Sequence, residues 1–198
     1  ITVLSTGIGT DNIDIVLNEI AFLRNYNLET RTQNRNLIPL QLIRLGTSGS
    51  VSKEHKLDSI VYSKNAISFD DLFQFYVHSF DEIIFDNKNF PVIGCNQDLE
   101  KKFAKYQPSL TLTTKGFYGP QFRNAQIEPK FSLAQIIKLK YKDEAIGNIE
   151  METAGIYGMS KLLGFDAISI NAILADRLDS KFSLNPQQTI ERMITECL

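Results

Sequence analysis

Cysteine is scarce in this chain: Cys95 and Cys197 lie far apart, outside the spacing of a disulfide framework. Both thiols are expected to be reduced, in a soluble cytoplasmic protein. Histidine is equally sparse, and neither His55 nor His78 stands in an HExxH-like or cysteine-rich context. A dedicated metal site is not expected, and both rings read as solvated or packing groups. No apolar run approaches the roughly 18 residues that a membrane span needs, which argues against a membrane partner. Lys and Arg number 21 against 23 Asp and Glu, for a net charge of -2 without basic clusters. Nucleic acid is therefore not an expected partner.

A hydrophobic fraction of 43% over 198 residues supplies enough apolar surface for a real core. We expect one domain spanning residues 1–198. The chain opens on "ITVLSTGIG", with neither an initiator Met nor a signal-peptide pattern ahead of it. That opening reads as a cut inside a fold, with an N-terminal segment missing.

Ile1 to Ser5 reads as a buried strand, Gly7 and Gly9 as a tight turn, and Asp11 to Leu23 as a helix with Ile13, Val16, Leu17, Ile20 and Leu23 on one face. The polar stretch from Asn25 to Asn36 reads as an exposed connection. Strands are expected over Leu37–Gly46, with Pro39 near an edge, and over residues 57–63, 90–96 and 109–114. "METAGIYGMSKLLGF" reads as a helix whose Gly155 and Gly158 imply close packing, "DAISINAILADR" as a central strand, and Pro186–Cys197 as a final helix. Strands alternating with helices predict an α/β sheet with helices on both sides.

Four stretches at predicted strand ends can carry chemistry, where open α/β sheets place ligands. "IRLGTSGS" is either a strand followed by a flexible turn or a phosphate cradle built from Arg44, Thr47 and nearby backbone N–H groups. "TTKGFYGPQFRN" is either an aromatic loop or a reader of a flat heterocycle, with Phe117 stacking and Gln121 and Arg123 meeting carbonyl and imide groups. "NIEMETAG" is either an ordinary acidic helix start or a ribose clamp, in which Glu150 and Glu152 share a face if the backbone is extended up to about Met151. "ILADRLDSK" ends a strand in Asp176 and Arg177, either a surface ion pair or an acid at the mouth of a site.

In order and spacing, "STGIG", "IRLGTSG", "FYGPQFR", "EMETAG" and "ADR" resemble the nucleoside phosphorylase family, with a pattern most like uridine phosphorylase, over nearly the whole chain. The resemblance implies a mixed, twisted central sheet flanked by helices on both sides, a three-layer α/β/α arrangement. It implies a pentosyltransferase that reversibly phosphorolyses uridine to uracil and ribose 1-phosphate, with inorganic phosphate as co-substrate and no organic cofactor. It also implies a homodimer or homohexamer. By that resemblance Arg44 binds phosphate, Thr47 touches phosphate and ribose, and Met151 and Glu152 hold the ribose with Glu150 in support. Phe117 stacks on the base, which Gln121 and Arg123 read. Arg44, Glu152 and Arg123 are the implied catalytic groups.

The pattern departs from the family at two places. A "GDPDR"-like phosphate loop lies upstream of the first strand in relatives, and nothing in this sequence matches it, so His55 and His78 inherit no role from the histidine of that region. Asp176 stands where uridine phosphorylases commonly have asparagine and purine-specific relatives an aspartate, which places it in the base-binding set. A purine nucleoside phosphorylase, a nucleosidase and a non-catalytic nucleoside-binding protein are the alternatives.

Overall fold

The protein, described over residues 1–198 by a computed structural model, contains five helices and eleven strands. The helices are α1 (Thr10–Asn25), α2 (Gln97–Lys102), α3 (Leu133–Ile136), α4 (Thr153–Leu163) and α5 (Pro186–Cys197). The strands are β1 (Tyr26–Asn27), β2 (Thr32–Gln33), β3 (Gln41–Ser50), β4 (Ile60–Phe69), β5 (Asp81–Phe85), β6 (Lys88–Gly94), β7 (Gln107–Thr114), β8 (Lys140–Tyr141), β9 (Glu144–Glu150), β10 (Asp166–Asp176) and β11 (Lys181–Phe182).

The main sheet runs β11-β10-β3-β9-β7-β4-β6-β5. It is mixed: β10–β3, β4–β7 and β7–β9 are parallel, whereas β3–β9, β4–β6 and β5–β6 are antiparallel. A further antiparallel pairing, β10 with β4 through Ile170↔Tyr62, joins strands that stand apart in that order. The path β10-β3-β9-β7-β4 thereby returns to β10 and closes a ring of five strands. Closure leaves these five strands without a free edge and encloses their inward-facing side chains, while β11 and β5 remain at the edges of the sheet.

Alternation along β10 divides its side chains between two faces. Ile168, Ile170 and Ala172 join a core with Leu99, Phe103 and Met193, beneath α2 and α5. Ala167 belongs to a second core with Ile13 and Leu17 of α1 and with Ala154, Tyr157 and Met159 of α4. Helices thus cover both faces. Both glycines of α4 mark close approach: an added Cβ would lie 2.7 Å from Thr10 at Gly155 and 2.0 Å from the Phe73 ring at Gly158.

Three expected elements need correction. Residues 1–5 form no strand, and Ile1, Val3 and Leu4 are exposed, because an apolar run becomes a strand only where a neighbour offers ladder hydrogen bonds. β3 begins at Gln41, beyond Pro39, and continues through the glycine-hydroxyl stretch to Ser50. The strand expected over 57–63 begins at Ile60 and runs on to Phe69. β9 and β5 were not anticipated, whereas the strand expected over 90–96 is β6, Lys88–Gly94; the β5–β6 hairpin turns on Asp86 and Asn87, whose φ values of 50° and 59° suit a two-residue turn of the primed kind.

Candidate functional site

Arg44 lies midway along β3, with its side chain only 12% exposed. It folds along its own strand over Gly46, where an added Cβ would sit 2.4 Å from the guanidinium carbon. Glycine two residues on therefore leaves the space that the guanidinium fills. One terminal nitrogen, Nη1, donates to Asn171 Oδ1 at 2.8 Å and to Ser169 Oγ at 3.2 Å on the adjacent β10. The other, Nη2, meets Glu152 Oε2 at 2.6 Å and Glu150 Oε2 at 3.1 Å.

The two glutamates converge on one nitrogen because β9 ends at Glu150 and α4 begins at Thr153. They do share a face, but their duties differ. Glu150 is 3% exposed; its Oε1 accepts from Thr113 Oγ1 at 2.6 Å, and its Oε2 accepts from the N–H groups of Glu152 and Thr153, each at 2.9 Å. It is the anion at the N-terminus of α4, where free N–H groups favour negative charge. Glu152 Oε1 accepts from Gly9 N–H at 2.7 Å, at the start of α1, so this carboxylate ties α1 to β3. Met151 is half-buried between them.

Asp70, just past β4, places a third carboxyl nearby. It is 2% exposed; Oδ1 accepts from Ser68 Oγ and Leu72 N–H, each at 3.0 Å, while Oδ2 has no partner. Burial pushes its pKa up to about 6, and the charge on Glu150 adds to the rise. A carboxyl with a raised folded-state pKa contributes stability that is full below about pH 4 and is lost as pH rises through about 6. Asp70→Asn is thus expected to be more stable than wild type by about 2 kcal/mol at about pH 8 and to lose that advantage by about pH 4. Urea unfolding across that range checks this; parallel stability curves for the two proteins would contradict it.

On the other side of the site, Gln121 is 4% exposed in the short helical turn Gly119–Gln121. Arg177 holds it, with Nη2 donating to the Gln121 backbone oxygen at 2.7 Å and Nη1 to Oε1 at 3.3 Å. Arg177 therefore pairs with Gln121 and forms no ion pair with Asp176. Arg123 lies 4.1 Å over the Phe117 ring, and its Nε donates to Phe117 O at 2.9 Å. The expected stacking aromatic thus carries a guanidinium on one face. Burial, reinforced by repulsion from Arg123, pushes the Arg177 pKa down to about 10. Two cations crowded in this way favour an anionic or carbonyl-rich ligand.

β3 links the two halves. Thr47 is exposed between Arg44 and Gly49, and an added Cβ at Gly49 would lie 3.0 Å from Arg177. Asp176 ends β10, where its Oδ1 accepts from the N–H groups of Leu178 and Asp179, so that oxygen caps its own turn. No group of three or more His, Cys, Asp or Glu side chains gathers as a metal centre. His55 is buried and His78 stacks on Phe80, both as packing groups. Sequence reasoning passed over Asn171, Ser169 and Thr113 as site-holding groups. The alternate polar residues in "ISINAI" were the available signal, since a buried polar side chain needs a partner.

Residues 1–196 match the family model described as Phosphorylase superfamily. Among curated relatives, a DeoD-type purine nucleoside phosphorylase of Buchnera aphidicola is 26% identical over 98% of this chain and 72% of its own. The uridine phosphorylase of Thermococcus kodakarensis is 23% identical over 92% of this chain and 60% of its own. The chain thus spans between 60% and 72% of the length of these two proteins. Among solved structures, Trypanosoma brucei nucleoside phosphorylase, which shows uridine phosphorylase activity, superposes with a TM-score of 0.82 at 23% identity, covering 98% of this chain and 78% of that one.

Proposed function

This chain belongs to the phosphorylase superfamily, and on that premise we propose that it phosphorolyses uridine reversibly to uracil and ribose 1-phosphate. The observation that carries the reading is Arg44, its side chain 12% exposed, held on one side by neutral side chains and on the other by Glu150 and Glu152. A fixed guanidinium at the mouth of a strand-helix junction is a natural anchor for an inorganic phosphate. Glu152, the more accessible of the two carboxylates, takes the ribose hydroxyls, with Met151 as the apolar wall and Thr47 beside both phosphate and sugar.

In this mechanism a phosphate oxygen attacks the anomeric carbon as the carbon–nitrogen bond to the base breaks. The bonding pair leaves on the base nitrogen, and its charge spreads to the carbonyl oxygens. Gln121 and Arg123 stabilise that developing anion, with Arg177 fixing Gln121 from behind. Phosphate orientation by Arg44 supplies the proximity part of the rate.

The DeoD-type relative keeps purine nucleosides as the second reading. The crowding of Arg123, Arg177 and Gln121 favours uridine, because a dione offers carbonyl oxygens to donors, and one oxygen of Asp176 is taken up by its own turn. Initial rates with uridine and inosine, each with inorganic phosphate, test the choice. Faster uridine turnover is expected, and turnover of inosine alone would overturn it. A homo-oligomer belongs to the same reading, supported by exposed Ile8 before α1 and exposed Ile15, Phe22 and Leu23 on it.

A further inference from the structure

Arg44 begins a chain of buried polar side chains that passes through all five strands of the closed ring. Its Nη1 donates to Asn171 Oδ1 on β10, and Asn171 Nδ2 donates to Ser63 Oγ on β4 at 3.0 Å. The Ser63 and Thr111 hydroxyls lie 2.6 Å apart, and Thr111 on β7 donates to Asn148 Oδ1 on β9 at 2.8 Å. Asn148 Nδ2 donates to Ser48 Oγ at 3.0 Å, back on the strand that carries Arg44. Asn171, Ser63, Thr111 and Asn148 are each 0% exposed, and Ser48 is 8% exposed.

Proton counting gives this chain a direction. A hydroxyl has one proton. Thr111 directs its proton to Asn148, so Ser63 must donate to Thr111, and Ser63 in turn accepts from the Asn171 amide. Every link therefore donates away from the guanidinium, and aligned links polarise one another. The same ordering turns the Asn171 oxygen, and not its NH2 group, toward Arg44.

We propose that Asn171 is a positioning residue: through this one-way chain it holds Nη1 of Arg44 with an uncharged oxygen and aims the guanidinium at the phosphate. The proposal rests on the reading of Arg44 as the phosphate ligand. Neutrality is the point of the asparagine. Glu150 and Glu152 already set two negative charges against one cation, and a third carboxylate would hold the guanidinium away from an incoming anion and add to its repulsion.

Steady-state kinetics of Asn171→Asp and Ser63→Ala, with phosphate and nucleoside varied separately, test this, and thermal unfolding reports whether each variant folds. Asn171→Asp, close in size, is expected to raise the phosphate KM about tenfold or more while the nucleoside KM changes by less than about twofold. Ser63→Ala, one link beyond Asn171, is expected to raise the phosphate KM by about twofold or more. A folded Asn171→Asp protein with an unchanged phosphate KM, or with a fall in kcat and both KM values unchanged, overturns the proposal. Should that variant not fold, Ser63→Ala decides: a rise supports the proposal and no change overturns it. An Arg44→Ala protein that keeps the wild-type phosphate KM refutes the phosphate reading itself, and the positioning role falls with it.

Discussion

Arg44→Ala should abolish measurable phosphate-dependent turnover, with kcat/KM for phosphate down by at least about a hundredfold. Two effects act together. The anion loses its only fixed cation among the residues assigned to this half of the site, and the Glu152 carboxylate loses the partner that orients it at 2.6 Å. The fold suffers as well, because Glu150 and Glu152, 3% and 9% exposed, are left facing each other without a countercharge. Breaking a buried ion pair from one side costs about 3–5 kcal/mol. A lowered unfolding midpoint should therefore accompany the loss of activity. A variant as active and as stable as wild type would contradict both assignments.

Glu150→Ala should be the more destabilising of the two glutamate substitutions, by about 3–5 kcal/mol. Its carboxylate receives the Thr113 hydroxyl, two N–H groups at the start of α4 and the Arg44 guanidinium, and water cannot replace them at 3% exposure. Glu152→Gln keeps the oxygen that accepts from Gly9 and should retain most of the stability while losing ribose affinity. Chemical unfolding of the two variants side by side measures the difference. Equal destabilisation, or a larger loss for Glu152→Gln, would show that the division of duties is wrong.

That division was only half legible in the sequence. "EMET" declares two acids near a helix start, and the helix itself follows from the small and apolar residues after it. Which acid serves the helix depends on where β9 stops, and β9 was not anticipated: the register that sets Glu150 beside Thr113 exists only once β7 and β9 pair. The central strand β10 and helices α1, α4 and α5 could be read from local periodicity and capping. The early strand at residues 1–5 could not, since an apolar run reads the same whether or not a neighbour hydrogen-bonds to it.

The site shows the same split between local and long-range information. Arg44 announces itself as a cation inside an apolar strand, and Gln121 and Arg123 as polar residues in a turn. Gly46 does not, because its purpose appears only when the Arg44 side chain is seen to lie over it. Asn171 is similar: it stands 127 positions from Arg44 and meets it only through the parallel pairing of β3 with β10. Arg177 seemed a partner for its neighbour Asp176 and proves to hold Gln121 from 56 positions away.

In the proposed function, Arg44 makes this a phosphorolytic site and not a hydrolytic one. Product analysis with uridine in the presence and absence of inorganic phosphate tests it most directly. Turnover is expected only with phosphate, yielding uracil and ribose 1-phosphate in equal amounts. Uracil released with free ribose at the same rate without phosphate would contradict it.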